Sequence, residues 1–268
     1  MTIKPRDLRF GLEAELARDW LGGDWFRTAF FNAMSILFPN GEKSFIDSVR
    51  ANEHAIVDPR LKADVRGFIA QEYVHRREHQ RFNELLCRSR RYDLERLESV
   101  IAEDSSELGK LEPLFWLATT VAYEHFTATF AGHLLREDGW LEGADPAVGQ
   151  VWRWHAVEEI EHKAVAFDVY KAAGGTHAML RKAIIAMTIE FLFRFQLRSL
   201  WLMYRRDRPP LMLTLHQAAR FLFGKGGFFR ANWRHYWAFF RRDFHPDHID
   251  DRKVLADAIK HYGLAHAA

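Results

Sequence analysis

The segment WHAVEEIEH, residues 154–162, sets the architecture of this chain. A helix turns about 100° per residue, so residues three or four apart share one face. His155, Glu159 and His162 therefore fall within about 60° of one another on the helix surface. Three metal-binding side chains on one stripe indicate a helix whose polar face turns toward a metal site.

The same Glu-x-x-His spacing recurs at Glu72 and His75. One such pair arises by chance in many helical proteins. Two pairs on two long predicted helices are typical of ferritin-like di-iron and di-manganese bundles, in which two further helices add one glutamate each. The repeated spacing therefore predicts a binuclear metal site.

The two further glutamates are predicted from their positions. Glu42 lies thirty residues before Glu72, and Glu124 lies 35 residues before Glu159. Glu124 stands in the apolar run 117–128, where a buried charge needs a partner or a metal ion. Glu42 has a second explanation, because a glutamate in the first turn of a helix is favoured by the helix dipole alone.

Helical periodicity dominates the chain, and no run of alternating residues with a hairpin turn is present. The pattern predicts an all-α fold, a ferritin-like four-helix bundle core with additional C-terminal helices. We expect one domain over residues 1–268, with the metal-binding bundle at about 24–175 and apolar, basic and aromatic helices at about 178–245. The predicted helices cover residues 24–37, 40–50, 59–91, 113–136, 146–173, 178–204, 213–223 and 229–240, the first ending at the breaker Phe38-Pro39-Asn40-Gly41.

Composition excludes several classes of protein. With 48% hydrophobic and 28% charged residues, the chain is neither disordered nor collagen-like. The one cysteine, Cys87, excludes a disulfide framework within the chain, a Cys-rich zinc site and catalysis by paired thiols. The opening MTIKPRDLRF lacks the apolar segment of a signal peptide, which predicts a cytoplasmic location.

Charge is concentrated near the C-terminus. Residues 194–244 contain eleven Lys or Arg, two acidic residues and thirteen aromatic residues, whereas the whole chain carries a net charge of only +2. This pattern predicts peripheral contact with the inner face of a membrane, or a homodimer contact. Nucleic acid is the weaker alternative, because no recognised binding module is present. Residues 178–204 are long enough to span a bilayer, but Glu190, Arg194 and Arg198 form a polar stripe that favours a bundle helix.

Four stretches resemble the bacterial family of predicted metal-dependent hydrolases, which is placed near the ferritin-like superfamily. They are FPNGE at 38–42, DP at 58–59, GFIAQEYVHRREH at 67–79 and WHAVEEIEHKAVAFDVY at 154–170, and the resemblance extends from about 25 to 246. The spacing His155-x-x-x-Glu159-x-x-His162 is also similar to the last metal helix of the p-aminobenzoate N-oxygenase group of di-iron enzymes. Together these resemblances imply the ligand set Glu42, Glu72, His75, Glu124, His155, Glu159 and His162.

Three functions follow from this ligand set. The first is an O₂-activating di-iron oxidoreductase that acts on an apolar or aromatic small molecule, since the chain is rich in Phe and Trp. The second is a metal-dependent hydrolase that uses a metal-activated water. The third is non-enzymatic iron binding or ferroxidase activity. We expect two metal ions, iron by preference, although manganese and zinc share these ligand types.

One competing motif overlaps the site. The residues His75-Arg-Arg-Glu78-His79 match the inverted zinc-protease pattern, in which both histidines bind zinc and the glutamate is the general base. In the binuclear interpretation, His79 is an eighth ligand, a partner of a ligand or a surface residue. Asp58 and Asp168 are candidates for orienting a metal-bound imidazole.

Overall fold

The chain folds as an all-α bundle in a computed structural model that describes residues 3–12, 15–136 and 138–266. Over these residues no β-strand forms, and a single isolated bridge pairs Leu21 with Ala144. This confirms the predicted all-α fold class. The helices are α1 (Trp25–Asn52), α2 (Pro59–Arg90), α3 (Leu94–Leu108), α4 (Pro113–Arg136), α5 (Pro146–His162), α6 (Val165–Ala172), α7 (His177–Ile189), α8 (Leu197–Asp207), α9 (Leu211–Phe223), α10 (Phe228–Ala238) and α11 (Arg252–His261).

Four helices surround the polar centre of the molecule. Helix α1 packs on α2 and α4, α4 packs on α5, and α2 packs on α5 and α6. Helix α7 covers α4, and a π-helical segment (Glu190–Gln196) joins α7 to α8 without a break. In the part of the chain that the structure describes, no helix is both long and apolar enough to cross a membrane.

Side-chain caps fix where the bundle helices begin. Asp24, Asp58 and Asp145 each accept a hydrogen bond from a backbone N–H of the following turn. Such caps satisfy donors that have no partner inside the helix. Pro59 and Pro146 occupy the first helical position, where the missing N–H costs nothing.

Helix α1 runs through Pro39, so the predicted break at residues 38–41 is wrong. Proline has no N–H to donate to the carbonyl four residues earlier, which here belongs to Ser35. Asn83 Nδ2 of α2 donates to that Ser35 carbonyl at 2.9 Å instead. Arg76 Nε also donates to the Pro39 carbonyl at 2.8 Å. The neighbouring helix thus supplies the hydrogen bonds that let α1 continue.

One further helix boundary and two further helices differ from the prediction. The predicted helix over 146–173 is interrupted at residues 163–164, between α5 and α6. Helices α3 and α11 were not predicted, although α3 has a clear start signal because Asp93 caps it by accepting from Arg96 N. By contrast, α4 begins and ends at the predicted residues.

The apolar core is divided by the polar centre. One cluster contains Val74, Phe82 and Trp154, and the other contains Phe68 and Val121. Two of the predicted ligands contact one cluster each through edge-to-face ring packing: His75 lies 4.9 Å from Trp154 and His162 lies 5.0 Å from Phe68, measured between ring centroids. Apolar side chains therefore shield the polar centre on both sides.

Candidate metal centre

All seven predicted ligands converge inside the bundle. Helix α1 contributes one of them, α2 two, α4 one and α5 three, and none is more than 4% exposed. Glu42 lies deep within α1 rather than in a first turn, so the helix dipole does not explain it. The seven residues are Glu42, Glu72, His75, Glu124, His155, Glu159 and His162.

Glu159 lies at the middle of the cluster. Its Oε1 atom is 3.0 Å from His155 Nε2, 3.5 Å from His162 Nε2 and 3.6 Å from His75 Nδ1. A single carboxylate oxygen therefore faces three imidazole nitrogens. Around it, Glu72 Oε1 and Glu124 Oε2 lie 3.2 and 3.4 Å from His162 Nε2.

The potential ligand atoms form separate groups. One group is Glu42, His75 and His155, and another is Glu72, Glu124 and His162, with the ligand atoms of each group within 4.8 Å of one another. These two groups share no residue. A third group combines Glu72, His75 and Glu159 and so joins the first two.

Many of these atoms are buried and have no hydrogen-bond partner among the described residues. They include both carboxylate oxygens of Glu42, Glu72 and Glu124, together with Oε2 of Glu159, Nδ1 of His75 and Nε2 of His162. A buried carboxylate without a partner is costly, whereas a cation satisfies it. The donor set therefore fits a metal ion, and carboxylate with imidazole is a set that iron, manganese and zinc accept.

Without metal, the carboxyl groups of the centre are buried close to one another, and their pKa values are shifted. Burial and the neighbouring carboxylates raise the pKa of Glu42 well above its usual range. Burial is also the main cause that raises the pKa of Glu72 to about 8 and that of Glu124 to about 7. Burial also opposes ionisation of Glu159, but attraction to His162 and His155 lowers its pKa well below the usual value. The group therefore holds protons at neutral pH that cations would displace.

A chain of hydrogen bonds fixes the tautomer of His155. Asn83 Nδ2 donates to the Ser35 carbonyl, which identifies Asn83 Oδ1 as the amide oxygen. That oxygen accepts from the Ser35 hydroxyl at 2.7 Å. The Ser35 Oγ must then accept from His79 Nδ1–H at 2.8 Å, which leaves His79 Nε2 as an acceptor. His155 Nδ1–H donates to that atom at 2.8 Å. The lone pair of His155 Nε2 consequently faces Glu159 and the centre.

A second chain fixes His162. Gln71 Nε2 donates to the Lys4 carbonyl at 3.0 Å and to Glu161 Oε2 at 2.9 Å. Its Oε1 must therefore accept from His162 Nδ1–H, at 3.0 Å. His162 Nε2 then faces Glu72 and Glu124, and it offers a lone pair to a cation that displaces its proton.

The third imidazole is oriented by a buried carboxyl group. Glu158 Oε2 lies 3.0 Å from His75 Nε2, and Glu158 Oε1 accepts from the backbone N–H of Arg6 at 2.7 Å. With His75 Nε2–H donating to Glu158, its Nδ1 lone pair points into the centre.

The N-terminal segment that carries Arg6 reaches Glu158 by crossing α2 at Gly67, where a Cβ would lie 2.4 Å from the Ile3 carbonyl. Glycine is therefore required there.

These partners lead to a prediction for His79. The change His79→Leu removes the acceptor for His155 Nδ1–H, so we expect the metal affinity to fall about 10–100-fold. The number of ions bound at saturating metal should not change, because His79 is not a ligand. Competition with a chromogenic chelator measures this affinity. His79→Gln keeps an acceptor and should restore much of the affinity; equal affinities for wild type and His79→Leu would contradict the assignment.

The inverted zinc-protease motif does not form a metal site among the described residues. Both ring nitrogens of His79 are used by Ser35 and His155. Glu78 Oε1 accepts from Arg9 Nη1 at 2.5 Å and from Arg77 Nε at 2.8 Å. The pair His75 and His79 is therefore not a zinc pair, and Glu78 is held away from the centre.

The two predicted aspartates also have other roles. Asp58 caps α2 by accepting from Arg60 N. Asp168 lies 3.0 Å from His245 Nε2 and bonds no predicted ligand. The residues that do orient the imidazoles are Glu158, Gln71 and His79. The signal that could have identified the first two is a polar residue directly before each Glu-x-x-His, Gln71 before Glu72 and Glu158 before Glu159.

An apolar cavity of about 300 Å³ adjoins the centre. Glu42 and Phe38 form part of its wall, and the Phe38 ring stacks on the His155 ring at 4.6 Å. The buried Oη of Tyr123, another wall residue, has no hydrogen-bond partner among the described residues. The cavity extends from Glu42, one of the predicted ligands, to α3, α10 and the π-helical segment.

One family model matches most of this sequence. The model described as "Predicted metal-dependent hydrolase" matches residues 4–250, nearly the whole chain. The chain belongs to this family. The metal-dependent hydrolase family is thus represented here by a helical bundle with buried Glu/His clusters that could bind metal. No curated protein and no solved structure matches the chain.

Proposed function

We propose that the chain is a metal-dependent hydrolase that holds two divalent ions between α1, α2, α4 and α5. The observation that carries the proposal is the pair of groups that share no residue, Glu42/His75/His155 and Glu72/Glu124/His162, with Glu159 between them. Each group would offer three donors to one ion, and Glu159 lies where its carboxylate could serve both; bound ions would then activate water for attack on a substrate.

Charge supports two ions rather than one. The ligand set contains four carboxylates and three imidazoles whose partners leave each of them a lone pair toward the centre. Two divalent cations would balance all four carboxylates in their ionised form inside an apolar bundle, whereas with one ion two of the carboxyls would have to stay protonated.

In such a centre, bound ions supply Lewis acidity, which activates water and polarises a carbonyl. The protein's own contribution is to hold and orient the ligands and to exclude bulk water. Glu42 belongs both to one ligand group and to the cavity wall, so a substrate in the cavity would meet the centre there. The apolar wall favours a hydrophobic acyl or aryl substrate.

A second candidate is the O₂-activating di-iron oxidoreductase. The observation that favours it is the seven-residue donor set in a four-helix core beside an apolar cavity, since carboxylate-bridged bundles of this kind hold redox-active iron. In that case the ions would supply electrons to O₂, and the same cavity would hold the substrate.

One experiment separates the candidates. Protein stripped of metal is reloaded with zinc, manganese or ferrous ion, and each form is given p-nitrophenyl esters of increasing acyl length or O₂. Ester cleavage by the zinc or manganese form, with a preference for longer acyl chains, supports the hydrolase. Stoichiometric O₂ consumption by the ferrous form with a transient visible absorption, and no ester cleavage by any form, would replace it with the oxidoreductase.

A further inference from the structure

Exposed apolar side chains are concentrated on one part of the molecule. Of the fifteen large apolar side chains that are exposed among the described residues, twelve lie between positions 185 and 237. Single exposed apolar residues are ordinary, but a concentration of this kind marks an interaction surface. The same part of the chain carries most of the excess positive charge.

Five of these residues form a row along α7, the π-helical segment and α8. They are spaced four apart and are 49–65% exposed: Ile185, Ile189, Phe193, Leu197 and Trp201. In a regular α-helix such a row drifts by about 40° per step. The π-helical segment bonds i to i+5 and so fits more residues into a turn, which turns the row back. The row therefore stays on one face.

The tryptophans of α10 extend this surface. Trp233 and Trp237 are 60% and 49% exposed, and their rings pack edge to face at 5.4 Å. The π-helical segment and α10 line the same apolar cavity, and Trp233 is both exposed and part of its wall. We call Phe193, Leu197, Trp201, Trp233 and Trp237 the apolar face; of these five, Trp233 is also part of the cavity wall.

Arginines border the apolar face. Arg205 lies over the Trp201 ring at 5.4 Å. A surface cavity of about 290 Å³ next to Trp201 is lined by four exposed arginines, together with Tyr92 and Asp93. The four arginines are Arg91, Arg96, Arg205 and Arg206. Guanidinium groups favour phosphate, while tryptophans favour the boundary between water and hydrocarbon.

We propose that the apolar face docks on the surface of an anionic phospholipid membrane. Aliphatic and tryptophan side chains would enter the interface, and the arginines would contact lipid phosphates. A second copy of the chain fits less well, because a two-fold contact would bring the same excess of positive charge against itself. This inference does not depend on which reaction the metal centre performs.

Vesicle sedimentation of the metal-loaded full-length chain tests the proposal. At about 0.1 M salt we expect the wild type to sediment with phosphatidylcholine vesicles that contain phosphatidylglycerol, and much less with phosphatidylcholine alone. The double change Phe193→Ser with Trp201→Ser removes two members of the face that do not line the metal-site cavity. It should weaken binding about tenfold or more. Tyr73→Ser, a 63% exposed residue on α2, is the matched control and should bind as the wild type does.

Three results would overturn the proposal. They are failure of the wild type to sediment with the anionic vesicles, equal binding by the double variant, and a concentration-dependent dimer that the double variant abolishes without any lipid binding. Circular dichroism and metal content show that the variant is folded, since neither residue touches the centre. Loss of lipid binding with unchanged metal content would locate the effect on the face itself.

Discussion

Glu159→Gln is expected to leave the protein with less than about one metal ion per chain, where the wild type is expected to bind about two. The reason is the central position of Glu159 Oε1, which faces the ring nitrogens of three histidines. The amide keeps the size of the side chain but removes the charge that bridges the two ligand groups. Elemental analysis of protein purified without added metal gives the result directly.

The matched control is Glu103→Gln, an exposed glutamate on α3, which should retain the wild-type metal content. His75→Ala provides an independent check, because His75 belongs to two of the three ligand groups. We expect it to lower metal content sharply as well. Wild-type stoichiometry in both Glu159→Gln and His75→Ala would refute the ligand assignment, and one zinc per wild-type chain would refute the two-ion centre.

The grouping of candidate ligands within one helix was predictable because it depends only on helix geometry. Residues three or four apart on a helix must share a face, so Glu72 with His75, and Glu159 with His155 and His162, could be grouped from spacing alone. The structure brings all of them together with Glu42 and Glu124. Whether they bind metal is still a prediction.

The continuation of α1 through Pro39 was not predictable from local sequence. A proline followed by Asn40 and Gly41 ordinarily ends a helix. What reverses this is Asn83, 44 residues away along the chain, whose amide bonds the carbonyl that Pro39 leaves free. Local patterns contain no information about a hydrogen-bond donor supplied by a neighbouring helix.

The partners of the imidazoles were missed for a related reason. Gln71 and Glu158 lie within the recognised motifs, but their roles depend on the N-terminal segment, which brings the Lys4 carbonyl and Arg6 to them. That segment has no regular secondary structure, so periodicity does not place it. Its position follows from tertiary contacts such as the close crossing of Ile3 and Gly67.

Removing the metal should make the stability of the protein fall as pH rises from about 6.5 to 8.5. Burial raises the pKa of Glu72 to about 8 and that of Glu124 to about 7. Burial lowers the pKa of His162, but its three glutamate neighbours outweigh this and raise that pKa well above its usual value. In this window the folded chain therefore binds more protons than the unfolded chain. Below about pH 6.5, His75 and His79 make stability fall as pH decreases, because burial lowers their pKa values and the unfolded chain binds their protons first.

With metal bound, the sign should reverse. Cations displace the protons held by Glu72, Glu124 and His162, so metal affinity, and the stability it confers, rise with pH. Each unit of pKa difference corresponds to about 1.4 kcal/mol, so we expect the unfolding temperature of the metal-free chain to fall by about 5–10 °C across the window. The increase in unfolding temperature on adding metal should grow as pH rises over the same range. Scanning calorimetry at several pH values, with chelator or with metal, measures both slopes.

Glu72→Gln is the diagnostic variant for this pH dependence. It replaces a carboxyl that is protonated in the metal-free fold with a neutral amide of the same size, so the fold tolerates it, while its contribution to the slope disappears. The metal-free variant should therefore show a shallower fall between about pH 6.5 and 8.5, and a smaller gain from metal. A metal-free wild type whose stability is constant or rises with pH would show that these carboxyls are already ionised in the fold. Compensation of the buried acids by cations would then not be what holds the centre together.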